Sequence, residues 1–243
     1  MTFNKSNLPD IQVGFSLGCF WRESKPKEII KFLQENGIRA VELKAMISLE
    51  HASDPLSSYT KEEFIGFSFA SYHAPKFPYG KNRETLKFLE EVAHLHELCP
   101  LDLLVVHPDI VEDFSVFSDL SFPVGFENMD TQKKSHRTVA DMQKLLSQNP
   151  SWRMVLDLNH CFVNDPSMEL ARDFYDALGD RIAEIHLSGF RKIHDPLFET
   201  KQEIIIRSLR NTNVPIIIES QMNLDQAFQE RDYIIRVLGD KFK

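Results

Sequence analysis

Met154-Val155-Leu156-Asp157-Leu158-Asn159-His160 is an apolar run that closes on an aspartate, an asparagine and a histidine. It predicts a short buried strand over 153–159. Asp157 stands where that strand leaves the core, and His160 follows within one turn. A carboxylate and an imidazole at the end of one strand suit a divalent cation.

The pattern repeats outward in both directions. Short apolar runs predict further strands over 11–17, 40–45, 67–73, 103–107, 122–128, 182–188 and 214–220. Amphipathic spacing predicts helices between them. Pro26 opens one that Asn36-Gly37 stops, and others cover 82–98 and 138–146. Ser167 caps another running to Ala177, and two more cover about 200–209 and 224–238. A weaker helix is expected over 60–64, and strands four and five are joined by a short connection without a clear helix. Eight strands alternating with helices predict a closed (β/α)8 TIM barrel, with residues 1–243 as one α/β domain. A doubly wound open sheet is the alternative, but the stretch from Gly14 to Gly18 lacks the GxGxxG spacing of a phosphate loop.

Composition agrees with a soluble enzyme-sized domain. Of 243 residues, 42% are hydrophobic and 26% charged, enough to bury a core without disulfides. A net charge of −8 disfavours a general nucleic-acid binder. Cys19, Cys99 and Cys161 form no CxxC pair and read as reduced thiols, which implies a cytoplasmic protein. The opening residues lack the apolar centre of a signal peptide, and no run approaches membrane-spanning length.

The functional signal is positional. Glu42, His73, His107, Glu127, Asp157, His186 and Glu219 each stand at or near a predicted strand end. By subtraction their spacings are 31, 34, 20, 30, 29 and 33 residues, about one strand-plus-helix unit each time. A barrel opens all its strand C-termini on one face, so these seven side chains converge there. Alternation agrees: Val105 shares a face with His107, Gly125 with Glu127, Val155 with Asp157, and Ile217 with Glu219. Their neighbours Val106, Phe126, Leu156 and Ile218 then face the helices. Taken singly, Glu42 reads as an ion-paired residue with Lys44 as partner. Taken as a set, buried carboxylates and imidazoles call for a counter-charge, and a metal supplies one.

These residues resemble the xylose-isomerase-like barrels, a superfamily of sugar isomerases and epimerases that also holds the endonuclease IV class of repair enzymes. The resemblance rests on Ser71-Tyr72-His73-Ala74-Pro75, Val105-Val106-His107-Pro108, Gly125-Phe126-Glu127-Asn128, Leu156-Asp157-Leu158-Asn159-His160, Glu184-Ile185-His186-Leu187 and Ile217-Ile218-Glu219, with a weaker echo in Val41-Glu42-Leu43. The isomerase branch implies one divalent ion, zinc or manganese, on Glu127, Asp157, His186 and Glu219. It also implies that Glu127 and Glu219 shuttle a substrate proton while His160 contacts a substrate hydroxyl. The endonuclease branch implies a zinc cluster that adds His73, His107, His160 and His194. That branch carries an aspartate two residues before the last histidine, where this chain has Lys192.

The expected activity is therefore a metal-dependent sugar or sugar-phosphate isomerase or epimerase working through an enediolate. A zinc phosphodiesterase acting on abasic DNA is the alternative from another class, and a catalytically silent metal- or ligand-binding barrel is the third. The expected partner is a small sugar or sugar phosphate, with no membrane and with nucleic acid only under the phosphodiesterase alternative. Glu42, Trp21, Arg191 and Lys192 are the expected substrate contacts, with Phe20 and Trp21 as an apolar wall and the two cations available to a phosphate or carboxylate. Gly18-Cys19-Phe20-Trp21 also resembles the tetrapeptide of peptide methionine sulfoxide reductases, but Arg22 replaces the glycine usual there and nothing else in the chain matches that fold. His94-Leu95-His96-Glu97 lacks the spacing of a helical zinc motif and reads as surface. Glu184 should face inward beneath His186, with no partner evident from the sequence.

Overall fold

The computed structural model describes residues 11–20, 25–44, 56–99, 101–210 and 213–241. Eight parallel strands close into a barrel in chain order. They are β1 (Val13–Ser16), β2 (Ala40–Lys44), β3 (Phe69–His73), β4 (Leu103–Val106), β5 (Val124–Glu127), β6 (Arg153–Asp157), β7 (Ile182–Leu187) and β8 (Ile216–Ile218). The helices are α1 (Pro26–Glu35), α2 (Arg83–Leu98), α3 (Val139–Leu146), α4 (Leu158–Asn164), α5 (Glu169–Leu178), α6 (Leu197–Thr200), α7 (Glu203–Arg207) and α8 (Ala227–Lys241). This is the (β/α)8 barrel that the strand-helix alternation predicts.

The alternation also sorts the core. Val106, Phe126, Leu156 and Ile218 belong to the large apolar layer between sheet and helices. Leu103, Val105 and Val155 form a separate small cluster inside the barrel, with Phe69 and Ala183 against it. Gly125 lies in that interior because a Cβ there would meet Leu103 and Val155 carbons at 2.9 Å. The interior is thus an apolar plug with a polar layer above it.

Two departures from the predicted elements, and the helix-free connection expected between strands four and five, have local causes. Strand six ends at Asp157, and the chain turns at once into α4 because the Asp157 carboxylate accepts the His160 amide at 2.9 Å. An aspartate N-cap of this kind stabilises a helix by about 1 kcal/mol. The helix expected over 200–209 is divided into α6 and α7 because Lys201 takes a left-handed backbone, φ 58°. No α-helix joins β4 to β5; two short 3-10 turns, Pro108–Ile110 and Phe114–Phe117, take its place. Phe114 and Phe117 cover Phe126 at ring distances of 5.4 and 5.7 Å, so the sheet stays dry with fewer residues. Elsewhere Ser167 stands just before α5, and its hydroxyl accepts the Glu169 amide at 3.3 Å.

Cys19, Cys99 and Cys161 are buried and form no disulfide. Among the described residues no helix is long and apolar enough to cross a membrane.

Candidate metal centre and active site

Strand register delivers the polar residues to one end of the barrel. Lys44 lies beside His73, His73 beside Val105, Asp157 beside His186, and His186 beside Ile217. His107 follows β4 directly, and Glu219 follows β8 with its amide donated to the Leu187 carbonyl at 3.0 Å.

Four overlapping groups of donor atoms meet there, two through Glu42 (Glu42, Glu184 and His186; Glu42, His73 and Glu219) and two through Glu127. Ligand atoms of Glu127, Asp157, His186 and Glu219 all lie within 4.8 Å of one another, and all four residues are buried. His186 Nε2 is 2.9 Å from Glu184 Oε1 and 3.2 Å from Glu42 Oε2. Carboxylates only accept, so Nε2 keeps its proton toward Glu184 and Glu42, and Nδ1 is the nitrogen that can offer a lone pair to an ion once its own proton leaves. Nδ1 lies 3.8 Å from Glu127 Oε1 and 3.5 Å from Glu219 Oε2. The second group through Glu127 is His73, His107 and Glu127. His73 Nδ1–H donates to the Ala74 carbonyl at 3.2 Å, which turns Nε2 inward. That nitrogen is 3.4 Å from Glu127 Oε2, and His107 Nε2 is 3.0 Å from the same oxygen. Glu127 therefore serves both of its groups, one oxygen to each.

The remaining expected residues fall less centrally. His160 Nδ1–H donates to the Asn128 carbonyl at 2.8 Å, and the ring stands 3.2 Å from Glu127 Oε1 and 3.5 Å from Asp157 Oδ2. His194 bonds Ser188 Oγ at 3.0 Å and lies 3.9 Å from Glu219 Oε2. Neither joins a ligand group among the described residues. Glu42, expected to face substrate, is fully buried beneath His186. Arg191 and Lys192 are exposed, with their amides donated to the Asp195 carboxylate and the Arg191 guanidinium 3.8 Å from Glu199. The structure does not bring them into the cluster. Trp21 lies outside the described residues. Phe20 packs in the core against Phe15 at 5.8 Å rather than lining the mouth.

Three residues make contacts beyond those expected from the sequence. Lys44 Nζ reaches Glu219 Oε1 at 2.6 Å instead of pairing with Glu42. Glu184 has the partners that the sequence left open, His186 and the Ser71 hydroxyl at 3.2 Å. Asn128 clasps the Asp157 backbone, donating to its carbonyl at 3.0 Å and accepting its amide at 2.8 Å.

Electrostatics follow from burial against these contacts. Burial raises the Glu127 carboxyl, but His107, His160 and His186 outweigh it and hold the group well below its ordinary range. Burial opposes ionisation of Glu219 too, and Lys44, His186 and His194 win. Asp157 goes the other way: burial, with the Glu127 and Glu219 charges, pushes it up to about 7. Glu184 also rises to about 7, through burial and the charge of Glu42. Burial disfavours the His186 imidazolium, yet Glu219 and Glu42 hold its pKa well above the usual value. Burial takes His107 and His194 down to about 4. Cys19 is fully buried, donates to the Ile218 carbonyl at 2.9 Å and has its thiol pushed up by burial, which removes the activated thiolate that a reductase needs.

The donor set fits a divalent cation. Glu42, Glu127, Asp157, Glu184 and Glu219 are five buried carboxylates served by one lysine, Lys44. Glu127 Oε2, Asp157 Oδ2 and His186 Nδ1 are buried without a well-formed hydrogen bond. Buried groups of this kind are costly unless something cationic satisfies them. Mixed carboxylate and imidazole donors suit zinc or manganese.

No known family model matches the chain, and no curated protein matches it in sequence. Solved structures do match in fold. A D-tagatose 3-epimerase-like protein superposes with a TM-score of 0.68 at 14% identity, covering 95% of this chain and 98% of its own. Endonuclease IV from Thermus thermophilus gives 0.67 at 17% identity, covering 94% and 99%. The IolI protein, whose structure holds a zinc atom, gives 0.68 at 13%, covering 96% and 100%. The chain thus shares its barrel fold with an epimerase-like protein, an endonuclease IV and the zinc-holding IolI protein alike.

Proposed function

We propose that this protein is a metal-dependent sugar or sugar-phosphate isomerase or epimerase that moves a substrate proton through an enediolate. The observation that carries this reading is the placement of Glu127 and Glu219. They come from β5 and the end of β8 and approach His186 Nδ1 from separate strands at 3.8 and 3.5 Å. Glu127, Asp157, His186 and Glu219 would hold one ion, zinc or manganese. Such an ion supplies Lewis-acid polarisation of neighbouring substrate oxygens. Glu219 and Glu127 are buried and held ionised by the surrounding histidines and Lys44, so each presents an unprotonated carboxylate to the substrate. One removes the carbon-bound proton while the other serves the opposite oxygen or face. His160 contacts a substrate hydroxyl from beside both Glu127 and Asp157. The likeness to a D-tagatose 3-epimerase-like protein supports the choice of substrate class.

One observation favours a second reading, a zinc phosphodiesterase acting on abasic DNA. His73 and His107 form a further ligand group that shares Glu127 with the first, as a two-metal hydrolase requires. The likeness to endonuclease IV supports it. Lys192 in place of the expected aspartate and the net charge of −8 weigh against it.

Elemental analysis of protein purified without chelator, followed by parallel assays, tests the ranking. The expected result is about one ion per chain, with interconversion of one pair among ketoses, aldoses and their phosphates. Two or more zinc ions with chelator-sensitive cleavage of an abasic duplex would reverse the order.

A further inference from the structure

Lys44 is the one lysine whose ammonium enters the donor cluster among the described residues, and the structure provides for it. It lies on β2 two residues beyond Glu42, on the same inward face, and beside His73 in the register. To reach Glu219 its side chain must cross the end of β1, which lies between β2 and β8. The crossing point is Gly18. A Cβ there would stand 2.6 Å from Lys44 Cδ and 3.5 Å from Cε, so the missing side chain at Gly18 leaves the channel in which the lysine stem runs. At its end Nζ is 2.6 Å from Glu219 Oε1, while Oε2 is the oxygen turned toward His186 and His194. Glu219 is 4% exposed at its side chain and Lys44 24%, so the lysine closes the cluster on the solvent side.

We propose that Lys44 is a positioning residue that holds one oxygen of Glu219, so that this carboxylate offers a single oxygen to the ion and to the substrate. This rests on the reading of Glu219 as an ion ligand. Two consequences follow. Glu219 cannot chelate with both oxygens, which leaves a coordination position for substrate. A fixed positive charge beside the site weakens ion binding, because like charges a few ångströms apart repel strongly even at an effective dielectric of about 20. Lys44 therefore makes the site bind its ion less tightly than the carboxylate set alone would.

Calorimetric titration of the metal-free full chain with Mn2+ and Zn2+ tests this, comparing wild type with Lys44→Met, Lys44→Arg and Gly18→Ala, each checked for fold by circular dichroism. Lys44→Met should bind Mn2+ at least about tenfold more tightly than wild type, since a charge and an oxygen clamp are both removed. Lys44→Arg, which keeps both, should stay close to wild type. Gly18→Ala leaves the lysine in place but obstructs its path, and should shift the affinity in the same direction as Lys44→Met by a smaller factor. It also keeps the test open if the methionine variant does not fold. Unchanged or weaker binding in both Lys44→Met and Gly18→Ala would overturn the role given to Lys44 and make the contact structural. Wild type that takes up neither ion would overturn this role together with the metal-dependent reading on which it rests.

Discussion

His186 Nε2 lies 2.9 Å from Glu184 Oε1, and that contact turns the imidazole so that Nδ1 faces the carboxylates of Glu127 and Glu219. Glu184 is itself held by the Ser71 hydroxyl at 3.2 Å. Outer-shell carboxylates of this kind fix the tautomer and orientation of a ligand histidine, and removing one typically lowers metal affinity about 10–100-fold. Glu184→Ala should therefore lose affinity in that range, and Glu184→Gln, which can still accept from Nε2, should lose less. Calorimetric ion titration of the two folded variants checks this; equal affinities in wild type and Glu184→Ala would remove Glu184 from the role.

Asp157 divides its two oxygens between jobs. Oδ1 caps α4 through the His160 amide at 2.9 Å, and Oδ2 is buried without a hydrogen bond. Asparagine is also a good N-cap, so Asp157→Asn should keep α4 while losing the ion. His186→Ala should lose the ion as well, since His186 is not part of the apolar layers. Metal content after dialysis, with circular dichroism as the fold control, is the measurement. Full retention of the ion by both variants would take these residues out of the ligand set.

Ion uptake should release protons. In the metal-free protein burial holds a proton on Asp157 up to about pH 7, and Glu219 and Glu42 keep His186 protonated well above the usual imidazole value. Both groups must give up their protons to bind a cation. Affinity should therefore rise with pH throughout, more steeply below pH 7 than above it. Below pH 7 binding should release protons from both Asp157 and His186, and the number released should fall as pH rises past 7 and Asp157 is already ionised. Titrations in buffers of different ionisation enthalpy count them. An affinity independent of pH on both sides of pH 7 would contradict the account.

The barrel and its mouth were largely legible because two simple signals coincide. Apolar runs such as Val105-Val106 and Ile216-Ile217-Ile218 mark the strands, and each closes on a polar residue one repeat apart. The gaps have physical causes. A run ending Leu156-Asp157-Leu158 looks like continuing strand, and only the capping bond of Asp157 shows where α4 begins. Alternation places Lys44 on the inward face with Glu42, so the sequence pairs the two; nothing local says that Gly18 opens a path to Glu219 instead. Glu42 was expected at the mouth because it belongs to the same series, but it lies a layer deeper, beneath His186. The partner of Glu184 comes partly from β3, a contact 113 residues away in sequence.

Two glycines test the packing of the barrel interior. A Cβ on Gly14 would fall 2.1 Å from the Ala40 carbonyl oxygen, a backbone atom of the neighbouring strand. On Gly125 it would meet only side-chain carbons of Leu103 and Val155, at 2.9 Å. Overpacking of the second kind costs about 1–3 kcal/mol, and forcing two strands apart costs more. Gly14→Ala should thus lower the urea midpoint further than Gly125→Ala does. The reverse order would mean that the strands yield more readily than the inner side chains.

The central claim is that Glu127 and Glu219 move a carbon-bound proton beside a metal ion, and solvent deuterium uptake tests it most directly. Metal-loaded wild type is incubated in heavy water with a panel of ketoses, aldoses and their phosphates, and compared with metal-saturated Glu219→Gln. The account predicts that wild type brings deuterium onto carbon in at least one sugar and that Glu219→Gln does not, although it still binds that sugar. Uptake that persists in Glu219→Gln would contradict the assignment of the base. No uptake in any compound with metal-loaded wild type would contradict the enediolate mechanism itself.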